Sequence, residues 1–205
     1  MTGRGRLIAF EGGEACGKST QSALLANRVG ALVTREPGGT ALGERVRALL
    51  LDAGTVGLDP RAEALLMAAA RAQHVAEVVA PALATGRHVV TDRFSHSSLA
   101  YQGYGRGLDL DELRWLSDWA TASLWPDVVI LLDLPPGRAL SAPSAPDRFE
   151  TESGEFHDRV TAGFHALAAT DPERWRVVDA AGSVNEVAER VWAAVAPILA
   201  SEDVR

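Results

Sequence analysis

Three groups of residues in this chain have the types and spacing to handle phosphate. The first is Gly12, four residues, then Gly17, Lys18 and Ser19, directly after the apolar run Leu7, Ile8, Ala9 and Phe10. A short strand, a glycine-rich turn and a helix are the context in which consecutive backbone N–H groups converge on a phosphate. The start of the following helix adds its partial positive charge. Lys18 then reaches the β/γ oxygens, and the Ser19 hydroxyl is placed to ligand Mg²⁺. The cradle is the run Gly12, Gly13, Glu14, Ala15, Cys16, Gly17, Lys18, Ser19 and Thr20. Glu14 is its odd member, because a carboxylate in a loop crowded with phosphate is costly unless it meets a hydroxyl, a cation or an arginine.

The second group is Asp92-Arg93, at the end of the strand pattern His88 to Thr91. An acid there can hold Mg²⁺ or its water shell. Arg93 would face a phosphate if its loop turns over the first one; the plainer reading is a local ion pair at a solvated strand end. The third group is the loop Arg35, Glu36, Pro37, Gly38, Gly39 and Thr40, also at a strand's C-terminal end, where open α/β sheets place ligands. Arg35 could fork onto a phosphate. Two arginines from two loops plus Lys18 suit a site that holds two phosphorylated substrates end to end. Phosphoryl transfer needs little beyond alignment and charge neutralisation. No N-K-x-D string occurs, which disfavours a GTPase; small-molecule kinases of the shikimate or gluconate type stay open on these grounds.

The elements that must position these groups follow from periodicity. Ser22 to Val29, Gly43 to Leu51, Arg61 to Leu83, Leu110 to Ser123, Glu155 to Ala169 and Val184 to Leu199 read as helices. Pro81 is expected to kink or end the longest of them early. Trp115 and Trp119 share one face at i,i+4, a spacing that suits core or helix–helix packing. Leu7 to Phe10, Ala31 to Thr34, His88 to Thr91, Asp127 to Leu134 and Trp175 to Asp179 read as strands, with DVVILLDL the pattern of a central parallel one. YQGYGRG, Tyr101 to Gly107, reads as a loop. Alternating strands and helices give a three-layer α/β fold with a parallel sheet, in one domain over 1–205.

Composition narrows the class. Apolar residues make up 47% and charged residues 23%, as in soluble globular chains. A net charge of −7 argues against a nucleic-acid-binding face. A single cysteine, Cys16, excludes an intrachain disulfide and reads as a small filler in the loop. No apolar run approaches the roughly 18 residues of a membrane span, and no signal-peptide core is visible near the start. A soluble, cytoplasmic protein is expected.

The strings FEGGEACGKST, TREPGGT (Thr34 to Thr40), AARAQH (Ala69 to His74), DRFSHSSLAYQGYGRG (Asp92 to Gly107) and LDLPP (Leu132 to Pro136) together resemble bacterial thymidylate kinases, from about Leu7 to Ile198. The resemblance implies transfer of the ATP γ-phosphoryl group to dTMP, giving dTDP, with Mg²⁺. It also implies a P-loop fold with a five-stranded parallel sheet, a lid at about 138–150 and a homodimer. Carried onto this chain, it puts Glu14 near the sugar hydroxyl, Arg35 and Arg93 on the acceptor phosphate, and Asp92 in the magnesium region with Ser19. Arg71, Ser97, Ser98 and Gln102 would address thymine, Tyr101 the deoxyribose, and Pro37 the wall on the base side.

Two departures stand out. Met67 occupies a position where the family usually stacks a phenylalanine on thymine; a thioether packs on a ring without a flat surface. The segment after LDLPP reads RALSAPSAPDRFE, with few of the family's basic residues. Arg148, with Arg159 behind it, is expected to carry the remaining lid charge to the transferring group, together with Lys18, Glu14, Asp92 and Arg93. The alternatives these departures raise are a kinase for another pyrimidine monophosphate and a nucleotide-binding homologue with weakened catalysis.

Overall fold

The computed structural model describes residues 3–134 and 146–200. The expected lid overlaps the remainder, so Arg138 and the SAPSA stretch lie outside the described residues. Five parallel strands form one sheet in the order β2-β3-β1-β4-β5. They are β1 (Leu7–Glu11), β2 (Leu32–Arg35), β3 (Val89–Asp92), β4 (Val128–Asp133) and β5 (Trp175–Asp179). Helices α1 (Lys18–Val29), α2 (Ala41–Leu51) and α3 (Pro60–His74) precede β3, and α4 (Ala80–Ala84) leads into it. The others are α5 (Ser95–Ser98), α6 (Leu110–Thr121), α7 (Gly154–Thr170) and α8 (Val184–Ala200). This is the doubly covered parallel sheet expected from the alternation of strand and helix patterns.

Strand β1 is the axis of the core. Every one of its residues is buried, and its alternation sends Ile8 and Phe10 to one face and Leu7 and Ala9 to the other. The first face meets Leu25 of α1 and Val187, Val191 and Val195 of α8. On the opposite side of the sheet, Val129 and Leu131 of β4 pack with Leu99, Phe156 and Phe164. Both layers bring strand C-termini to one edge, where β1, β2 and β3 end at Glu11, Arg35 and Asp92. Parallel register aligns Arg35 with Asp92 and Phe10 with Asp92, so the three phosphate-handling groups start side by side.

Three local expectations are corrected. The long helix does not stop or break at Pro81. It widens into a π-helical stretch, Val75–Val79, where Ala80 N–H bonds back to Val75 O, and then continues through Pro81 to Ala84. Widened turns of this kind relieve the backbone pairing that a proline forbids. YQGYGRG is not a loop either: Leu99–Gly105 continues α5 as a π-helical segment. Its glycines allow close approach, since a Cβ on Gly103 would lie 2.5 Å from a Leu110 methyl and one on Gly105 2.6 Å from the Phe156 ring. Finally, Trp115 and Trp119 are not core residues of this chain. They stack on one another with centroids 6.5 Å apart while 68% and 73% exposed.

Candidate active site

The phosphate loop begins where β1 ends. Gly12 turns with φ 143°, and a side chain there would collide with Leu132 O at 2.7 Å and Cys16 Sγ at 2.9 Å. Cys16 is buried against the core, in the filler role expected. Ala15 takes φ 51° and Gly17 φ 91°, so the chain enters α1 with Lys18 as its first residue. Lys18 is buried and its ammonium donates to Gly13 O at 2.5 Å, lying 3.5 Å from Cys16 Sγ. Ser19 and Thr20 stand exposed at the helix start, whose first turn holds no acidic residue. That leaves the N-terminal N–H groups free of a competing carboxylate from the helix itself.

Ser19 reaches across to β3. Its hydroxyl donates to Asp92 Oδ2 at 2.5 Å, while Asp92 Oδ1 is buried and without a hydrogen-bond partner among the described residues. A hydroxyl and a carboxylate with one unused oxygen are hard donors of the kind Mg²⁺ takes, alongside waters and substrate phosphates. The donor set therefore fits magnesium. Among the described residues no cluster of three or more His, Cys, Asp or Glu could hold a metal without such help.

Arg93 closes the space between this loop and the rest of the site. Its backbone is in the left-handed region, φ 69°, which swings the side chain back over the phosphate loop. One guanidinium nitrogen donates to Gly12 O at 3.1 Å and Ser97 Oγ at 3.2 Å; the other donates to Glu14 Oε1 at 2.7 Å and Tyr101 OH at 3.1 Å. Glu14 has thus found the arginine and the hydroxyl that its position demands, with Tyr101 OH donating to it at 2.5 Å. Burial pushes the Glu14 carboxyl up, but Arg93 and Lys18, with hydrogen bonds from Tyr101 and Arg93, outweigh it and hold it down at about 2. Burial alone would lower Arg93; the carboxylates around it, Glu14 foremost, raise it well above its ordinary value.

Beneath this bridge lies Glu11, to which sequence reading assigned no role. It is fully buried and accepts from Phe94 N–H at 2.9 Å, Ser97 N–H at 3.2 Å and Ser97 Oγ at 2.5 Å. It thereby supplies the cap that α5 lacks, since Phe94 offers no side-chain acceptor. Burial dominates its chemistry and pushes it up to about 7.

Beside Arg93 opens a cavity lined by Glu14, Pro37, Met67, Arg71, Arg93, Ser97, Ser98, Tyr101 and Gln102. Residues drawn from four separate stretches of sequence come together there. Its walls also include Glu36, named from sequence only as a member of its loop, and Arg47, Leu51, Phe94, Asp147 and Phe149, to which sequence reading assigned no role. Arg47 sits three residues beyond Glu44 on α2 and donates to Pro37 O at 3.0 Å. Its burial, then the neighbouring Arg35 charge, lower its pKa from the ordinary value. The Glu36–Pro37 peptide bond is cis. The buried Arg71 guanidinium donates to Glu36 Oε2 at 2.7 Å and Ser98 Oγ at 3.0 Å. Gln102 is held from behind by Glu63, to which its amide donates at 2.7 Å.

Two expected site residues are placed elsewhere. Arg35 does not line this cavity. It is half exposed, pairs with Glu44 at 3.0 Å, and borders an adjoining groove with Ser19, Thr34 and Asp92. Strand alternation explains it: Arg35 and Glu36 point to opposite sides of the β2 end, and Glu36 takes the cavity side. Arg148 does not line the cavity either, although Asp147 and Phe149 do. Its guanidinium lies 2.7 Å from buried Glu63 and donates to Leu50 O at 2.8 Å. Arg159 is also engaged, donating twice to Gly105 O. The hub Glu63, shared with Arg106, carries no sequence signal beyond an acid in a helix's first turn.

The thymidylate kinase family model matches residues 10–191. A thymidylate kinase from Synechococcus sp. is 53% identical over 197 residues, covering 94% of this chain and 95% of that protein. One from Cereibacter sphaeroides is 47% identical over 217 residues and covers both chains completely. The crystal structure of thymidylate kinase from Ehrlichia chaffeensis superposes with a TM-score of 0.79 at 32% identity, covering 93% of this chain and 98% of that one. With a phosphate loop facing a cavity across Glu14 and Arg93, and with these relatives along nearly its whole length, the chain belongs to the thymidylate kinase family.

Proposed function

We propose that this protein transfers the γ-phosphoryl group of ATP to dTMP, giving dTDP and ADP, with Mg²⁺ as cofactor. The observation that carries this reading is the Arg93 bridge. One guanidinium touches the phosphate loop at Gly12 and opens onto the cavity at Ser97 and Tyr101, so the two sites share an edge. An acceptor phosphate laid against Arg93, with Arg47 across the cavity, would present an oxygen toward the loop. That oxygen attacks the γ-phosphorus, and the bond to the β–γ bridging oxygen breaks as ADP leaves. Lys18 and the loop N–H groups neutralise the developing charge. Mg²⁺, held through Ser19 and Asp92, supplies further neutralisation of the β and γ oxygens when bound.

On the acceptor side, Arg71, Ser98 and Gln102 offer donors to a pyrimidine edge, and Met67 and Phe149 pack its faces. Tyr101 takes the deoxyribose side together with Glu14. Each relative reported above carries the thymidylate kinase name, which gives a different acceptor no support. Arg148 acts as a strut: its pairing with Glu63 anchors the Asp147–Phe149 wall, in place of the arginine-finger role its sequence position suggests. Arg35 contributes field from the adjoining groove. The protein works as a cytoplasmic homodimer, and the stacked Trp115–Trp119 face with the exposed Leu65 beside it is the surface that pairing covers. Among the described residues no helix is long and apolar enough to cross a membrane.

A steady-state assay with ATP, Mg²⁺ and dTMP tests the reading. Turnover at about 1 s⁻¹ or above is expected, and Arg93→Ala should cost about 100-fold. ATP binding without consumption of dTMP, or dUMP or dCMP rivalling dTMP in kcat/KM, overturns it.

A further inference from the structure

Behind the acceptor cavity runs a chain of side chains that ends on two residues of its wall, Arg71 and Ser98. Thr34 Oγ1 lies 2.7 Å from His74 Nε2, and His74 Nδ1 lies 2.9 Å from Glu36 Oε1. Glu36 Oε2 takes the Arg71 Nε–H at 2.7 Å, and Arg71 passes on to Ser98 at 3.0 Å. The chain joins the end of β2, the loop after it, α3 and α5. His74, Glu36 and Arg71 are all at most 5% exposed. Glu36 and Arg71 line the cavity; His74 does not.

The hydrogen-bond arithmetic fixes what His74 does. A carboxylate only accepts, so Nδ1 carries the proton that goes to Glu36. Nε2 faces the Thr34 hydroxyl, which satisfies it as donor or as acceptor. Thr34 thus orients the imidazole, and the imidazole holds one oxygen of Glu36, leaving the other for Arg71 Nε. Without His74 the Glu36 carboxyl would have one buried oxygen unpaired and freedom to rotate, and the plane of Arg71 would follow it. The loop is shaped around this pair. Gly39, at φ 77°, has no side chain because a Cβ would sit 2.7 Å from the His74 ring and 2.8 Å from Thr34 Oγ1.

We propose that His74, oriented by Thr34, is a positioning residue for acceptor recognition, acting through Glu36 on Arg71. This rests on the acceptor site assigned above. Its consequence is selective: acceptor affinity depends on His74, while the ATP side, to which no hydrogen bond of the chain described above leads, is indifferent.

The test is steady-state kinetics on the full-length protein. His74→Leu, which removes both ring contacts, should raise KM for dTMP about tenfold, the equivalent of one lost hydrogen bond of ordinary strength. KM for ATP and kcat should stay within about twofold. His74→Asn, which keeps an N–H donor near Nδ1, should recover most of the loss, and Thr34→Val should show a smaller rise of the same kind. In an Arg71→Ala background His74→Leu should add nothing further, because coupled residues are not additive. The proposal is overturned by an unchanged dTMP KM, by an equal rise in both KM values, or by a full additional loss in the Arg71→Ala background. Should His74→Leu fail to fold, Thr34→Val carries the same readouts, and no selective rise in the dTMP KM of that variant overturns the proposal. A wild-type chain that does not phosphorylate dTMP overturns the function itself and this inference with it; an active wild type with insensitive variants overturns the inference alone.

Discussion

The two halves of the site are built by different means. The phosphate loop is a continuous stretch, Gly12 to Thr20, that offers backbone N–H groups and one lysine. Its shape is enforced by neighbouring backbone, as the 2.7 Å approach of Leu132 O to a Cβ on Gly12 shows. The acceptor cavity draws Glu36, Met67, Arg71, Ser98, Tyr101 and Phe149 from separate elements, and its polar groups are held by buried acids. A backbone site tolerates change in its surroundings and little change in itself. A side-chain site can be loosened from behind, one partner at a time. Glu36 and Glu63 are the two points from which that loosening starts.

The largest break in this comparison comes from the donor half. Lys18→Met should lower kcat at least about 100-fold, with little change in dTMP binding measured by calorimetry, because no described contact joins Lys18 to the base end of the cavity. An equal loss of dTMP affinity would show the halves are not separable. On the acceptor half, Arg148→Ala should act mainly on stability. It removes one of two arginines from buried Glu63 and should cost about 2 kcal/mol in urea unfolding, short of the roughly 3–5 expected when a buried charge loses its only partner. Turnover should stay within about threefold. A hundredfold loss of kcat with unchanged stability would return Arg148 to the transferring phosphoryl group.

Two buried groups, Glu11 under the Arg93 bridge and His96 away from the site, give opposite responses to pH. Glu11 is raised from 4.5 to about 7 by burial, so the folded state binds the extra proton between those values and stability falls as pH rises through them. His96, buried between Trp125 and Trp175, is lowered from 6.5 to about 3 by burial, then by Arg174, Arg71 and Arg114. There the unfolded state binds the extra proton, so stability rises with pH between about 3 and 6.5. From 4.5 to 6.5 the two slopes oppose each other. His96→Gln should therefore expose the Glu11 slope: relative to wild type, the variant's urea midpoint should climb as pH falls from 6.5 to 4.5. Parallel curves would refute the assignment. The smallest effect is expected at Met67→Phe, which gives thymine a flat surface and should lower the dTMP KM about threefold, within the range of an aromatic contact, without moving KM for ATP.

Much of this protein is fixed by short-range rules. The apolar run of β1, the glycines that follow and the helix after them prescribe a phosphate cradle wherever they occur, because backbone geometry alone makes the site. The parallel sheet follows equally from central strands too apolar to face water, β1 and β4, and from the helices that separate the strands. What needed the tertiary structure were facts about partners. Arg35 falls on the far side of the β2 end from the cavity, and it is Arg47, from α2, that lines it. Arg148 looks like a free lid cation until buried Glu63, more than eighty residues earlier in sequence, is seen to hold it. YQGYGRG looks like a loop until Leu110 and Phe156 show why its glycines are needed inside a helix. Charges and glycines are read from sequence by type, but their roles are set by what lies opposite them, and only the folded chain brings those neighbours together.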